Sequence, residues 1–142
     1  MIAVDTNVLV YAHRGEFSQH ERARGLLAEL ADGDALWAIP VFCLGEFLRV
    51  VTHPSILKPP TRTAEAVRAI EALLHSPSLR LLVPGERYQR LLLDLVTTSR
   101  VSGNLVFDAQ IAASCLEHGV RTLVSNDRDF SRFPEIQLQP LD

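Results

Sequence analysis

Four acidic side chains are spaced along the chain in a way that could do chemistry: Asp5, Glu46, Asp108 and Asp127. Asp5 directly follows the apolar run Ile2–Val4, and Asp127 lies shortly after the run Thr122–Val124. Positions just beyond strand ends are where open α/β sheets build their sites. Glu46 sits in Val41–Val51, a segment apolar nearly all the way round, where a buried charge must meet a cation, a metal or a proton. Asp108 falls in the first turn of a helical pattern, Leu105–Glu117, whose positive end favours the ionised carboxylate. Each acid also has a plainer account. Asp5 and Asp127 could be caps or turn formers, Asp108 a charge matched to the helix dipole, and Glu46 a solvated partner of Arg49, worth roughly 0.2–0.5 kcal/mol. Their conjunction weighs the other way, because four acids on one edge concentrate negative charge that persists only beside a bound cation. A ligand set of oxygens without His or Cys suits Mg2+ or Mn2+ rather than zinc. The natural chemistry is phosphodiester hydrolysis, in which one or two ions bring a water to nucleophilic strength and stabilise the departing oxygen.

The elements that must position these acids follow from periodicity. Strand-like runs occur at Ile2–Val4, Leu36–Ile39, Leu81–Val83 and Thr122–Val124, with a weaker alternation at Ile136–Leu138. Helical patterns occupy His20–Leu30, Val41–Val51, Ala64–Leu74, Tyr88–Val96 and Leu105–Glu117. Ser18–Glu21 spells a capping box before the first, Asn104 is placed to cap the last, and Gly119 to end it. Pro54–Pro60 reads as a loop. Alternating strands and helices predict an α/β fold: a parallel central sheet of four to five strands with helices on both sides. At 142 residues and 47% hydrophobic content, with no linker or repeat, residues 1–142 read as a single domain.

A net charge of −3 argues against a general nucleic-acid coat, yet leaves room for a nuclease whose acids are offset locally by metal. The basic residues are thirteen Arg and one Lys. Arg14, Arg100, Arg128 and Arg132 flank the acidic motifs and could contact phosphates, with surface solvation as the competing account. Cys43 and Cys115 lie in apolar segments and read as buried free thiols. The five His are scattered without a metal-ligand spacing. Trp37, Phe42, Phe47 and Phe107 read as core, and Tyr11 as a residue able to reach the mouth of a groove. No apolar stretch approaches the roughly 20 residues of a membrane span, and no secretion signal is read near Met1, so a cytoplasmic location is expected.

The segments MIAVDTNVLVYA, the acid in its hydrophobic helix at Glu46, NLVFDAQIAA around Asp108 and TLVSNDRDF near the end resemble the PIN-domain family. More narrowly, they resemble the VapC toxins of bacterial toxin–antitoxin pairs. The resemblance spans essentially the whole chain, through four motifs in the family's order. It implies a PIN-like domain with Mg2+- or Mn2+-dependent endoribonuclease activity and a homodimeric state. It further implies a cognate antitoxin that inserts a segment into the active groove, and a structured RNA target such as tRNA or rRNA. Val50–Pro54 resembles a tRNA-cutting subset. On this basis Asp5, Glu46 and Asp108 are core metal ligands and Asp127 the fourth acid, chosen over Asp129 because it follows Ser125 at the family's spacing. Thr6, Asn7 and Ser125 become polar supports that orient the carboxylates or the water, with Asp129 a helix-start or outer acid. Two other readings stand beside this one. A phosphatase using Asp5 as nucleophile would want a second Asp where Asn7 stands. A non-catalytic RNA- or partner-binding module of the same fold would be marked by a missing acid, and none is missing.

Overall fold

A computed structural model describes residues 1–142, with five strands and six helices in α/β alternation. The strands are β1 (Ile2–Val4), β2 (Trp37–Pro40), β3 (Leu79–Leu82), β4 (Thr122–Val124) and β5 (Gln137–Gln139). The helices are α1 (Thr6–His13), α2 (His20–Asp32), α3 (Phe42–Thr52), α4 (Thr63–Leu74), α5 (Tyr88–Ser99) and α6 (Leu105–Glu117), followed by a 3-10 turn at Arg128–Arg132. All strands are parallel, in the order β3-β2-β1-β4-β5. Successive connections run one way from β1 to β3 and then return across the sheet to β4. Right-handed crossovers therefore put α1–α4 on one face and α5 and α6 on the other. The reversal falls between β1 and β4, the place where such sheets open a crevice at their carboxyl ends.

The core is built as a doubly covered sheet requires. Ala3, Val4, Trp37, Ala38, Ile39, Leu123 and Val124 are all buried, so the central strands are apolar on both faces rather than alternating. No helix is long and apolar enough to cross a membrane. Both cysteines are buried free thiols.

Four local features depart from the sequence reading. Thr6–His13 is a helix that periodicity did not reveal, because Thr6, Val8 and Val10 are β-branched and the segment is short. Burial of Val8, Leu9 and Val10 against the sheet outweighs their weak propensity. β3 begins two residues earlier than Leu81 and stops before Val83, which is 52% exposed. The expected capping box does not form: the Ser18 hydroxyl donates to Gln19 Oε1 at 3.2 Å, and no side chain caps α2. Asn104 likewise makes no side-chain cap on α6. Gly119 does end that helix. It takes φ +71°, Gly119 N–H donates to Leu116 O at 3.1 Å, and Val120 N–H donates to Cys115 O at 2.9 Å, the paired bonds of a left-handed helix stop. The same end is tied to the β3–α5 loop by Glu117, whose carboxylate accepts from Gly85 N–H at 2.8 Å and Arg87 N–H at 3.0 Å. The C-terminal end of α6 is thus fixed against the β3–α5 loop.

Candidate active site

Parallel pairing sets β1 and β4 in register, Val4 opposite Val124, so the next residue on each strand, Asp5 and Ser125, emerges at the reversal of strand order. Asp5 N–H donates to Val124 O at 3.0 Å, which fixes the exit of the chain. The Asp5 carboxylate makes no capping bond to α1. It accepts instead from the Ser125 hydroxyl, Oγ to Oδ2 at 2.7 Å, and more weakly from the Cys43 thiol, Sγ to Oδ1 at 3.8 Å. Ser125 is fully buried and its hydroxyl is saturated: while donating to Asp5 it accepts from Asn7 Nδ2 and from Asp127 N–H, both at 3.0 Å. One hydroxyl thereby locks together the residues following β1 and β4. Asn7 uses its amide nitrogen here and leaves Oδ1 buried without a protein partner. Thr6 is buried in the first turn of α1, beside Asp5 in the chain.

The remaining acids arrive from three other directions. Asp127 ends the β4 exit and caps the 3-10 turn, its Oδ1 accepting from Asp129 N–H at 2.9 Å. That bond turns Asp129 back toward the site. Carboxylate oxygens of Asp108, Asp127 and Asp129 lie within 4.8 Å of one another. Asp129 therefore stands with Asp127 within reach of Asp108, rather than outside the cluster. Asp5 and Glu46 do not join this trio. Asp5 is buried at 5% exposure and does not line the groove, whereas Glu46 lines it from α3.

The groove encloses about 790 Å³ and is walled by two helices that each present one stripe. On α3 the stripe is Phe42, Gly45, Glu46 and Arg49; on α6 it is Asn104, Phe107, Asp108 and Ile111. Both follow the spacing of a single helical face. Cys43, Phe47 and Val51 face the core from the other side of α3, which is why Glu46 is half-buried rather than enclosed.

No Lys, Arg or His forms an ion pair with any of the five acids. Arg49 stays unpaired from Glu46, so the simple i,i+3 account of that glutamate does not hold. The charge cost appears in the titration of the site. Burial lifts the Asp5 carboxyl from 3.8 to about 6, against the pull of the Ser125 hydroxyl and with Glu46 and Asp127 adding to the rise. Burial and then the charges of Asp127, Asp5, Asp129 and Glu46 lift Asp108 from 3.8 to about 7. The start of α6 does not hold Asp108 at the ordinary carboxylate value: burial first, and then the neighbouring carboxylates, raise it despite the helix dipole. The carboxylates of Asp108, Asp127 and Asp129, with no cationic side chain paired to them, form an oxygen-only donor set that fits a hard divalent ion. Asp5 is unsuited to nucleophilic attack, since it is buried and both its oxygens are already held.

The four arginines read as phosphate contacts are differently placed. Arg14 closes α1 at the far end from Asp5 and is committed to Glu16, to Thr61 Oγ1 at 3.1 Å and to Pro59 O at 2.8 Å. Arg100, Arg128 and Arg132 are exposed. Arg100 ends α5 with φ +53°, in the turn leading toward α6. Two further expectations are corrected. Tyr11 is packed edge-on against Phe17, with ring centroids 5.3 Å apart, and does not line the groove. Phe107 is not core but 59% exposed, because residues 104, 107, 108 and 111 share the helix face that looks into the groove. Arg49, Asn104 and Phe107 are groove residues that sequence reasoning did not assign there. Their common spacing from Glu46 and Asp108 was the available signal.

Comparison with known proteins agrees with this architecture. The PIN domain family model matches residues 2–136. Ribonuclease VapC43 of Mycobacterium tuberculosis is 41% identical over 143 residues, covering 100% of this chain and 97% of that protein. Ribonuclease VapC31 of the same organism is 35% identical over 137 residues, covering 96% of each. Among solved structures, VapBC2 from Rickettsia felis, bound to a DNA fragment from its promoter, superposes with a TM-score of 0.70 at 22% identity over the full length of both chains. Mycobacterium tuberculosis VapC20, a sarcin–ricin loop cleaving toxin, gives 0.68 at 21% identity, covering 96% of this chain and 99% of that one. With its sheet order, its acids at the reversal point and a family match across nearly all its length, the chain belongs to the PIN-domain family, among the VapC ribonucleases.

Proposed function

We propose that this protein is the endoribonuclease toxin of a VapBC-type pair, and that Asp5, Glu46, Asp108, Asp127 and Asp129 form its divalent-metal centre. The observation that carries the reading is the cluster of Asp108, Asp127 and Asp129 in the groove, with Asp5 at the reversal of strand order and Glu46 on the groove wall, and no cationic side chain paired to any of them. Relatives at 41% identity are named ribonucleases, and the VapBC neighbours are toxin–antitoxin pairs, which supports a cognate antitoxin as partner. A homodimer and a structured RNA target, tRNA or rRNA, complete the reading, with Arg100, Arg128 and Arg132 on the substrate's phosphates. Mg2+ or Mn2+ would be held by Asp108, Asp127 and Asp129, with Asp5 and Glu46 behind them. When bound, such an ion acidifies water and offsets charge on the scissile phosphate.

The chain's own residues do the rest. Ser125 holds Asp5 in one rotamer and holds the Asp127 backbone in place, so the carboxylates need not reorganise as charge develops. Asn7 Nδ2, by donating to the Ser125 hydroxyl, helps hold that lock in place. The test is cleavage of total cellular RNA by purified protein. Activity is expected with Mg2+ or Mn2+, leaving 5′-phosphate and 3′-hydroxyl ends, and lost in EDTA and in Asp108→Asn, with the fold retained by circular dichroism. Full activity in EDTA or in that variant would refute the metal mechanism. Binding of RNA without turnover under any divalent ion would favour the non-catalytic module instead.

A further inference from the structure

Resting on the ribonuclease reading, we propose that Phe107 and Arg49 form a nucleotide clamp at the acidic groove: Phe107 stacks on an unpaired base beside the scissile bond, and Arg49 holds a neighbouring phosphate. The chain has nine aromatic residues, and Phe107 is the one that is exposed. Eight large hydrophobic side chains are exposed in all, and Phe107 alone among them lines the groove. Single exposed hydrophobics are ordinary on protein surfaces. What distinguishes this one is its place, next in sequence to Asp108 and on the same helical stripe.

Arg49 supplies the complement. It lies one helical turn beyond Glu46, about 4.5 Å along α3, and is the only basic residue that lines the groove. It makes no ion pair, although Glu46 is three residues away and the trio of aspartates stands opposite. A guanidinium left unspent beside acids that await a cation is free to meet an anion. The groove thus offers carboxylates for metal at the cut phosphate, one cation for an adjacent phosphate and one π face for a base. These are the recurring parts of single-stranded nucleic-acid sites. Eight of its twelve lining residues are not hydrophobic, which fits a nucleotide better than an apolar peptide face.

The clamp makes a base preference a property of α6 rather than of the metal centre. Duplex RNA cannot present a base face to Phe107, so the cut falls at an unpaired nucleotide. It is tested with single-stranded RNA 20-mers of mixed sequence carrying one 2-aminopurine, whose fluorescence is quenched by stacking. Wild type, Phe107→Ala, Phe107→Trp, Arg49→Gln and Arg49→Lys are compared for binding in the Asp108→Asn background and for cleavage without it. Phe107→Ala is expected to weaken RNA binding roughly 5- to 150-fold, to change the 2-aminopurine signal, and to raise KM far more than it lowers kcat. Phe107→Trp should restore binding. Arg49→Gln should weaken RNA of any sequence and reduce the slope of log affinity against log salt by about 1, with Arg49→Lys intermediate. Mn2+ affinity measured by calorimetry should be unchanged in Phe107→Ala. If wild type cleaves RNA but Phe107→Ala binds and cuts it equally well, the clamp is wrong and the ribonuclease reading stands. Loss of a protein partner's binding alone, with RNA affinity intact, would likewise overturn the clamp in favour of a protein-docking face. A wild type that neither binds nor cuts RNA removes both.

Discussion

Replacing Asp5 by Asn should stabilise the metal-free protein at neutral pH, although it removes a residue at the centre of the site. Asp5 is 5% exposed, and burial is the largest cause of the rise of its carboxyl from 3.8 to about 6. At 1.36 kcal/mol per pH unit, the ionised form is disfavoured in the folded chain by about 3 kcal/mol. Between about pH 4 and pH 6 the folded chain keeps a proton that the unfolded chain has released, so stability falls as pH rises. Above pH 6 the whole penalty is present. Asp108, lifted to about 7, adds in the same direction, with its share reduced by water because it is only half-buried.

Asn at position 5 removes the charge while Oδ1 can still accept from Ser125. In EDTA at pH 8, Asp5→Asn should therefore exceed wild type by about 2–3 kcal/mol. At roughly 2–4 °C per kcal/mol for a chain of this size, that is a rise in Tm of about 5–10 °C. By pH 4 the two should converge. Differential scanning calorimetry at pH 4, 6 and 8 reads the whole pattern. Adding Mn2+ should narrow the gap at pH 8. Wild type gains about 2.7 kcal/mol when the ion is at 100 times its Kd, and the variant gains less. A variant that melts below wild type in EDTA at pH 8 would show that the buried charge is already compensated by the protein, and the case for a missing cation would fall.

Ser125→Ala should cost about 2–4 kcal/mol, read by urea denaturation, because it strips partners from Asp5 Oδ2, Asn7 Nδ2 and Asp127 N–H together; a loss under 1 kcal/mol would mean the hydroxyl is not the lock. Asp127→Asn and Asp129→Asn should each lower Mn2+ affinity by roughly 10-fold or more in calorimetry, since both stand with Asp108 within 4.8 Å. An effect confined to one of them would leave that residue as the fourth acid. Arg100→Gly should raise stability by about 1 kcal/mol, because φ +53° strains any residue with a Cβ. If Arg100 contacts substrate, the same change weakens RNA binding. An unchanged RNA affinity would remove Arg100 from the proposed interface.

The sheet and five of the six helices were legible because each carries an apolar run or stripe long enough to show its period. Thr6–His13 was hidden: its eight residues mix β-branched side chains with a helix that only burial on the sheet stabilises. The acids Asp5 and Asp127 were legible from their positions after strands, and Asp108 and Glu46 from carboxylates placed among apolar neighbours. Relations that depend on through-space geometry were not. Asp129 joins Asp108 because Asp127 Oδ1 caps the turn between them, a bond no spacing rule supplies. Phe107 read as core because an aromatic in an apolar run is usually buried. It shares a face with Asp108 only by the helical count from Asn104, and that face lines the groove between α3 and α6 instead of packing on the sheet.

The hidden pieces have a common cause. Asp5 is buried with its partners on the protein side of the site, while Asp108, Asp127 and Asp129 open toward the groove. A buried carboxylate held by two donors is a fixed negative potential, and the trio must sit in that potential as well as its own. Burial raises both Asp5 and Asp108, and the charges of the other acids add to the rise at Asp108. The same arrangement couples ion binding to deprotonation: a divalent cation in the groove favours the ionised forms of Asp108 and Asp5 and displaces their protons. Ion affinity should therefore fall as pH drops through about 7 to 6, the two values at which Asp108 and Asp5 take up protons. Calorimetry of Mn2+ in buffers of different ionisation enthalpy would count those protons. At pH 6.5 about one proton released per ion is expected; none would mean the acids are already ionised, and the repulsion that calls for a cation would not exist.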